Sequence, residues 1–359
     1  MMIVVTGAAA GYDGGILPPS GPGQPSPIPS GPPPPEDEPM NAPDIHPGLA
    51  QSANSQLRLL GQYEARLGRG LNRMMVFAAM PADQAAAQEQ AFALSSTLLE
   101  YQKQGIEPLI IFEPGTLDIR TMDSAVFSSY FKALKANGVT DKAIGTWAPF
   151  PEPNIPEWGD PAKNDKGNTD PELFKANFTM VIGAMRDVFP DAKAHILLDS
   201  ATYPSYDHAY EHVSYEPQTL LRYVAGLEPG LVSELGLQGF PWEPANFDPV
   251  RFLNGDLAIA AAKELDVDLV SLNTGTFAVM GQTVVTPAKR QEILNNILHE
   301  AHKMQDAGLN VAMNIFAENK AETEADWSYS DPAADDVFMR FVRSAERNSI
   351  DLSIFDTTK

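Results

Sequence analysis

One carboxylate of this chain lies among prolines and aromatic side chains, at the end of an apolar run. Glu152 stands between two prolines, directly after the run 144–150, and Trp147 and Trp158 flank it. A carboxyl group in such a position is typical of the general acid of a sugar hydrolase. We therefore predict that Glu152 is an acid at the end of a strand.

A second strand-like run ends at an amide where a second carboxylate is expected. Residues 268–272 are apolar after Asp268, and Asn273 follows them at a turn that contains Gly275. Hydrolysis with retention of configuration needs two carboxyl groups roughly 5 Å apart. Asn273 is also an ordinary residue for a strand-to-turn junction, and the sequence leaves both interpretations open.

The elements that must position these residues alternate between short apolar runs and amphipathic helices from about Gln56 onward. Such alternation predicts a parallel sheet covered by helices. Seven strands are predicted, at 74–78, 109–112, 144–150, 195–198, 235–240, 268–272 and 311–316. Helices are predicted at 57–67, 81–103, 124–136, 171–188 and 287–307.

A closed (β/α)8 TIM barrel needs an eighth strand, and the sequence offers more than one source for it. We expect the first strand to precede helix 57–67, but that region is polar and rich in proline. Ile3–Val5 could supply the strand, the segment 352–355 could help, or the barrel could be imperfect. Residues 1–50 form a Pro/Gly/Ser-rich tail or linker, and residues 51–359 form the barrel domain.

Composition excludes several classes of protein. The chain has 359 residues, no cysteine and a net charge of −22. It therefore has no thiolate chemistry, and no basic surface suggests a nucleic acid as partner. No apolar run is long enough to span a membrane. We expect a monomer that uses no metal and no organic cofactor. The N-terminus resembles the end of a signal peptide that lacks its start, so an extracellular location is predicted.

The ends of the predicted strands form an acidic rim with aromatic neighbours. In a (β/α)8 barrel the functional groups lie at the C-terminal ends of the strands. The rim residues in chain order are Glu113, Glu152, Asn154, Asp199, Trp242, Glu243, Asn273 and Glu318. Carboxylates and amides bind hydroxyl groups, and aromatic faces stack on pyranose rings. The rim therefore favours a β-linked polysaccharide or oligosaccharide as ligand.

Several of these segments, in order, resemble glycoside hydrolase family 26, the β-mannanases and related β-glucanases. The similarity covers about Leu57 to Val342, and its motifs are 63–69, 108–114, 149–154 with Trp158-Gly159, 235–242, and 316–327 with its Asp-Trp pair. The resemblance implies a (β/α)8 barrel and a ligand of the mannan or β-glucan type. It places Glu152 at the general acid/base and Asn273 at the position of the nucleophile. The sugar contacts that it implies are Glu113, Trp147, Asn154, Trp158, Phe240, Trp242 and Trp327.

The departures from the family pattern predict impaired or absent hydrolysis. The family has a histidine where this chain has Pro151, a tyrosine where it has Phe240, and the nucleophilic glutamate where it has Asn273. An amide cannot form the glycosyl ester of a retaining mechanism. As an alternative, the chain is an active endo-β-glycosidase in which Glu152 is the acid. The base is then another rim carboxylate (Glu113, Glu243 or Glu318), or Asn273 orients an N-acetyl group of the substrate.

Two further motifs are better explained as loops. The segment 208–212 matches the His-x-x-Glu-His pattern of some zinc proteases, but it follows a strand and is surrounded by tyrosines. The segment 164–170 contains oxygen ligands suited to calcium without the regular spacing of a calcium loop. A polar loop and a helix-capping turn are the preferred interpretations.

Overall fold

A computed structural model describes Glu64 and residues 73–115, 117–154, 170–199, 221–240, 253–276, 278–280, 283–316, 332–348 and 350–355. Several predictions lie outside these residues: the tail, the strand at 3–5, the helix at 57–67 apart from Glu64, and the zinc-like and calcium-like segments. They stay predictions.

Eight parallel strands form one sheet that curls into a barrel. They are β1 (Arg73–Ala79), β2 (Glu107–Glu113), β3 (Thr146–Pro149), β4 (Lys193–Asp199), β5 (Glu234–Gln238), β6 (Leu269–Gly275), β9 (Asn310–Phe316) and β10 (Asp351–Phe355). The strands neighbour one another in that order, and β10 lies beside β1. All seven predicted strands are present, and the predicted TIM-barrel class is confirmed. A small hairpin, β7 (Val279–Met280) and β8 (Thr283–Val284), follows β6.

The eighth strand comes from the C-terminal end of the described chain. In β10, Leu352 pairs with Met313 of β9 and Ile354 pairs with Ile315. Of the sources that the sequence left open, the segment 352–355 therefore supplies a strand, and the residues before the first predicted helix lie outside the described part of the chain. This strand lies between β9, with which it pairs, and β1.

Six helices cover the sheet within the described residues: α1 (Gln84–Lys103), α2 (Ser124–Ala136), α3 (Pro171–Arg186), α4 (Gly255–Leu265), α5 (Pro287–Asp306) and α6 (Pro332–Arg347). Side chains at the N-caps fix where several of them begin. Asp170 and Thr286 accept hydrogen bonds from the first turns of α3 and α5, and each helix has proline at its start. Helices α4 and α6 were not predicted.

An ion pair crosses the interior of the barrel at the N-terminal end of the strands. Arg73 of β1 donates from Nη1 and Nη2 to the two carboxylate oxygens of Glu234 on β5, at 2.7 and 2.6 Å. Thr146 and Glu107 lie beside the same guanidinium. Because β1 and β5 are not neighbours in the sheet, this pair ties opposite walls of the barrel together. The predicted functional groups lie at the opposite, C-terminal end of the strands.

Candidate functional site

Glu152 is held in an unusual backbone conformation directly after β3. Its φ angle is 52°, and that of Phe150 is 53°. Both residues precede a proline, a position that favours extended backbone instead. Hydrogen bonds hold the segment in place, since the Phe150 N–H donates to the Phe112 carbonyl at 3.0 Å and the Glu152 N–H donates to the Leu197 carbonyl at 2.8 Å. Such strain persists where the surroundings enforce it and is typical of functional sites.

Three carboxylates from successive strands meet at this point. Glu113 ends β2, Glu152 follows β3, and Asp199 ends β4. Burial raises the pKa of Glu152 well above its usual range, and the negative charges of Asp199 and Glu113 raise it further. Burial raises the pKa of Glu113 to about 7. The cluster therefore retains protons near neutral pH, and Glu152 can serve as a hydrogen-bond donor or a general acid.

An amide from β5 contacts the carboxylate of Glu152. Gln238 donates from Nε2 to Oε1 of Glu152, and this bond lowers the pKa of Glu152 against the larger effects of burial and repulsion. Sequence analysis missed Gln238 as a site residue. Gln238 could have been predicted from its position two residues before Phe240, which was a predicted site residue. Residues two apart in a strand point to the same face.

Polar side chains occupy one level of the barrel across four neighbouring strands. Asp199 pairs in register with Gln238, Gln238 with Asn273, and Asn273 with Asn314. Residues paired in register point to the same side of a sheet, so all four side chains face the same way. Asn314 donates from Nδ2 to Oδ1 of Asn273. The site is therefore acidic on the side of β2 to β4 and carries amides on the side of β5 to β9.

Asn273 lies inside the barrel and is 0% exposed. Its Oδ1 accepts the bond from Asn314, and its Nδ2 has no hydrogen-bond acceptor among the described residues. The side chain of Asn273 is thus buried, whereas those of Glu152 and Gln238 are partly exposed. Its position as a lost nucleophile stays a prediction.

Trp147 does not line this site. Its ring is 0% exposed and packs between the sheet and α2, with ring centroids 5.0 Å from Phe112 and 5.1 Å from Phe131. Its indole N–H donates to the carbonyl of Ile144. The prediction that Trp147 contacts a sugar is corrected, because a buried ring on the helical side of the sheet offers no surface to a ligand.

The other predicted contacts are distributed as follows. Glu113 and Phe240 are partly exposed at the ends of β2 and β5. Asn154 is buried at the end of the Glu152 segment, and both polar groups of its amide are engaged by the backbone of Asp199. Trp158, Trp242 and Trp327 lie outside the described residues, as do Glu243 and Glu318.

Two general features of the described part of the chain concern ligands and membranes. No three histidine, aspartate or glutamate side chains there are grouped so that they could hold a metal ion. None of the described helices is long and apolar enough to cross a membrane.

Comparison with known proteins gives a match in structure alone. The sequence matches no protein-family model and no curated protein. The structure is similar to that of β-glucosidase 1317, with a TM-score of 0.52 and 12% identity over 81% of this chain and 89% of that one. The shared fold is the TIM barrel. At this identity the similarity shows the fold and leaves the activity to the site.

Two mannanases are also structurally similar, at lower scores. The endo-1,4-β-D-mannanase of Thermotoga petrophila RKU-1 has a TM-score of 0.47 and 15% identity, covering 81% of this chain and 96% of that one. The family 26 β-mannanase of Bacteroides ovatus has a TM-score of 0.44 and 13% identity, covering 77% and 80%.

Replacing Glu152 with glutamine should stabilise the folded chain. Because its pKa is raised, ionised Glu152 opposes folding, and this cost appears as the pH rises above about 4.5 and grows until the folded-state pKa is passed. We expect Glu152→Gln to raise the free energy of unfolding at pH 8 and to raise it much less at pH 4.5. Urea titrations of the variant and the parent chain at several pH values measure this difference in the free energy of unfolding.

The matched control for this substitution is Glu89→Gln on the exposed side of α1. It should change the free energy of unfolding by less than about 0.5 kcal/mol. A loss of stability in Glu152→Gln at pH 8 would contradict the repulsive cluster described above.

Proposed function

We propose that this chain binds a β-linked polysaccharide of the mannan or β-glucan type at the C-terminal ends of its barrel strands. We further propose that retaining hydrolysis is impaired or absent. The observation that carries the proposal is the convergence of Glu113, Glu152 and Asp199 at this end of the barrel, next to the amides of Gln238 and Asn273. Carboxylates and amides are the groups with which proteins bind sugar hydroxyls.

The loss of retaining hydrolysis follows from the chemistry of Asn273. A retaining enzyme uses one carboxylate to attack the anomeric carbon while the second carboxyl group donates a proton. An amide is a poor nucleophile, and the oxygen of this one already accepts a hydrogen bond from Asn314. Full burial of Asn273 further separates it from a ligand at the rim. The acid position is thus occupied, and the nucleophile position is not.

An active endo-β-glycosidase is the second candidate, and one observation favours it. The charge of Glu113 acts on Glu152, and the two side chains come from neighbouring strands. Carboxyl groups with shifted pKa values at a barrel rim are the usual acid and base of a hydrolase. Glu152 would then protonate the leaving oxygen while Glu113 activates water. Inversion requires about 6.5–9.5 Å between the two carboxyl groups.

A panel of polysaccharides tests the proposal. We would measure binding by calorimetry, and release of reducing ends, with β-mannan, mixed-linkage β-glucan, β-1,3-xylan and an N-acetylated glycan. Binding of β-mannan or β-glucan without release of products is the expected result. Glu152→Ala should weaken that binding at least about tenfold, because it removes a hydrogen-bonding group from the rim. Glu89→Ala, remote from the rim, should leave affinity unchanged.

Two other results would decide against the proposal. Turnover that disappears in Glu152→Ala would establish the active enzyme, and loss of turnover in Glu113→Gln would then identify the base. If none of the four polysaccharides binds, the assignment of the rim to these sugars is wrong.

A further inference from the structure

The backbone ladder between β3 and β4 stops well before the functional end of the barrel. The two strands pair in register only at Thr146 with Lys193 and at Trp147 with Ala194. Proline stands at positions 149, 151 and 153, and proline has no N–H to donate. Every second residue of this segment therefore lacks a backbone donor, and an ordinary ladder cannot continue to the end of β4.

The remaining donors alternate between the two neighbouring strands. The Phe150 N–H bonds to Phe112 on β2, and the Glu152 N–H bonds to Leu197 on β4. After Glu152 the connection to β4 passes to a side chain. Nδ2 of Asn154 donates to the carbonyl of Asp199 at 2.7 Å, and the N–H of Asp199 donates to Oδ1 of Asn154 at 3.0 Å. The side-chain amide thus bonds both backbone polar groups of one residue, which the backbone of a neighbouring strand would otherwise do.

We propose that Asn154 is a positioning residue whose amide replaces the missing ladder and holds Glu152 beside Asp199. Asn154 is 2% exposed, and both ends of its amide are engaged by Asp199, so it acts on the ligand only through these two carboxylates. The clamp keeps the positive-φ segment of Glu152 against β4. Without it, the segment can move away from β4, and the repulsion between the carboxylates can relax. The inference rests on the proposed function only for the identity of the ligand.

The charged groups around Glu152 in the described structure come from both neighbouring strands. Asp199 on β4 and Glu113 on β2 act on its carboxylate by charge, and Gln238 on β5 donates a hydrogen bond to it. Asn154 contacts the Asp199 backbone and not the carboxylate of Glu152. A change in the ionisation of Glu152 on removal of Asn154 would therefore report a change of position.

Carbon-13 NMR of the carboxyl groups of the full chain between pH 4 and pH 10 provides the readout, with the Glu152 resonance assigned by its absence in Glu152→Gln. We expect Asn154→Ala to lower the pKa of Glu152 by at least about one unit, because separation from Asp199 weakens the repulsion. Asn177→Ala is the matched control. Asn177 is also a buried asparagine that donates to a backbone carbonyl, that of Ile119 at 2.6 Å, but it lies on α3.

If Asn154 only stabilises the fold, Asn154→Ala and Asn177→Ala should behave alike. Each variant would lose stability, and the pKa of Glu152 would stay within a few tenths of a unit of its value in the parent chain. That result overturns the proposal. If Asn154→Ala does not fold, Asn154→Ser serves instead, since its shorter side chain cannot span both bonds, and the same shift in direction is required. None of these measurements uses a glycan, so a failed panel of polysaccharides leaves them unaffected.

A cycle of substitutions gives an independent check. The stability gained by Glu152→Gln at pH 8 should fall by at least half when Asn154 is already alanine, because less repulsion is left to relieve. If Glu152→Gln raises the free energy of unfolding by the same amount in the Asn154→Ala background as in the parent chain, the proposed role of Asn154 is contradicted.

Discussion

Replacing Gly236 with alanine should destabilise the folded chain by more than about 4 kcal/mol. Gly236 lies in β5 inside the barrel, and a Cβ atom there would stand 1.9 Å from Nε2 of His195 and 2.9 Å from Cδ1 of Leu197. His195 is 0% exposed, and its Nδ1 lies 3.4 Å from Glu234. Because the ring is fully buried, we expect it to be unable to move aside, so that strands β4 and β5 separate. Chemical denaturation measures the loss.

Gly183→Ala is the control for this substitution. Gly183 lies on the exposed side of α3, and a Cβ atom there would meet no atom within 4 Å. Alanine favours the helix, so this variant should gain about 0.5–1 kcal/mol. Equal stabilities of Gly236→Ala and the parent chain would show that His195 does not occupy the interior as described.

Replacing Glu234 with glutamine should cost about 3–5 kcal/mol at pH 7. The side chain of Glu234 is 2% exposed and accepts both bonds from Arg73 across the barrel. Burial by itself would raise the pKa of Glu234, but the neighbouring His195 and the charge and hydrogen bonds of Arg73 outweigh burial and hold it well below the usual range. Glutamine carries no charge, so Arg73 loses its closest ion-pair partner and keeps only the more distant carboxylate of Glu107, at 3.9 Å.

The pH dependence of this variant has a defined sign. A lowered pKa stabilises the fold at pH values above the ordinary pKa of glutamate, near 4.5, and the stabilisation is lost as the pH falls toward the lower folded-state value. The difference between Glu234→Gln and the parent chain should therefore shrink below about pH 4. Glu292→Gln, which removes an exposed ion pair with Lys289, should cost less than about 1 kcal/mol. A cost no larger than this for Glu234→Gln would contradict the predicted role of the buried pair.

The two ends of the barrel use glutamate in opposite ways. At the N-terminal end, Glu234 is neutralised by Arg73, and its pKa is lowered. At the C-terminal end, Glu152 stands beside Glu113 and Asp199, and its pKa is raised. The first arrangement stabilises the fold, and the second opposes it. Retention of an unfavourable cluster, together with a strained backbone, is what a binding or catalytic site requires.

The amide side of the site bears on the question of activity. Gln238, Asn273 and Asn314 continue the row that begins with Asp199, and Asn314 fixes the orientation of the Asn273 amide. Asn273 is thus part of a bonded polar layer, and a change to glutamate would disturb its neighbour Asn314 as well. This integration agrees with a site that binds glycans without retaining hydrolysis.

Local patterns in the sequence determined most of the secondary structure. Seven strands and the helices α1, α2, α3 and α5 were predicted within a few residues, because apolar periodicity, capping aspartates and proline at helix starts act over short distances. The position of Glu152 after a strand followed from the same local signals. Asp199 was expected on the same rim because it ends a predicted strand, but the contact with Gln238, 86 positions away in the chain, was not predicted.

The tertiary structure decided the features that depend on closure of the sheet, register and the choice of face. Only the closed sheet shows that β10 fills the place between β9 and β1. In a sheet buried on both faces, alternation along a strand cannot tell which side is the interior, so the sequence could not place Trp147 among the helices. The pairing of Asn154 with Asp199 likewise depends on the register of β3 against β4, which is set by contacts between segments far apart in the chain.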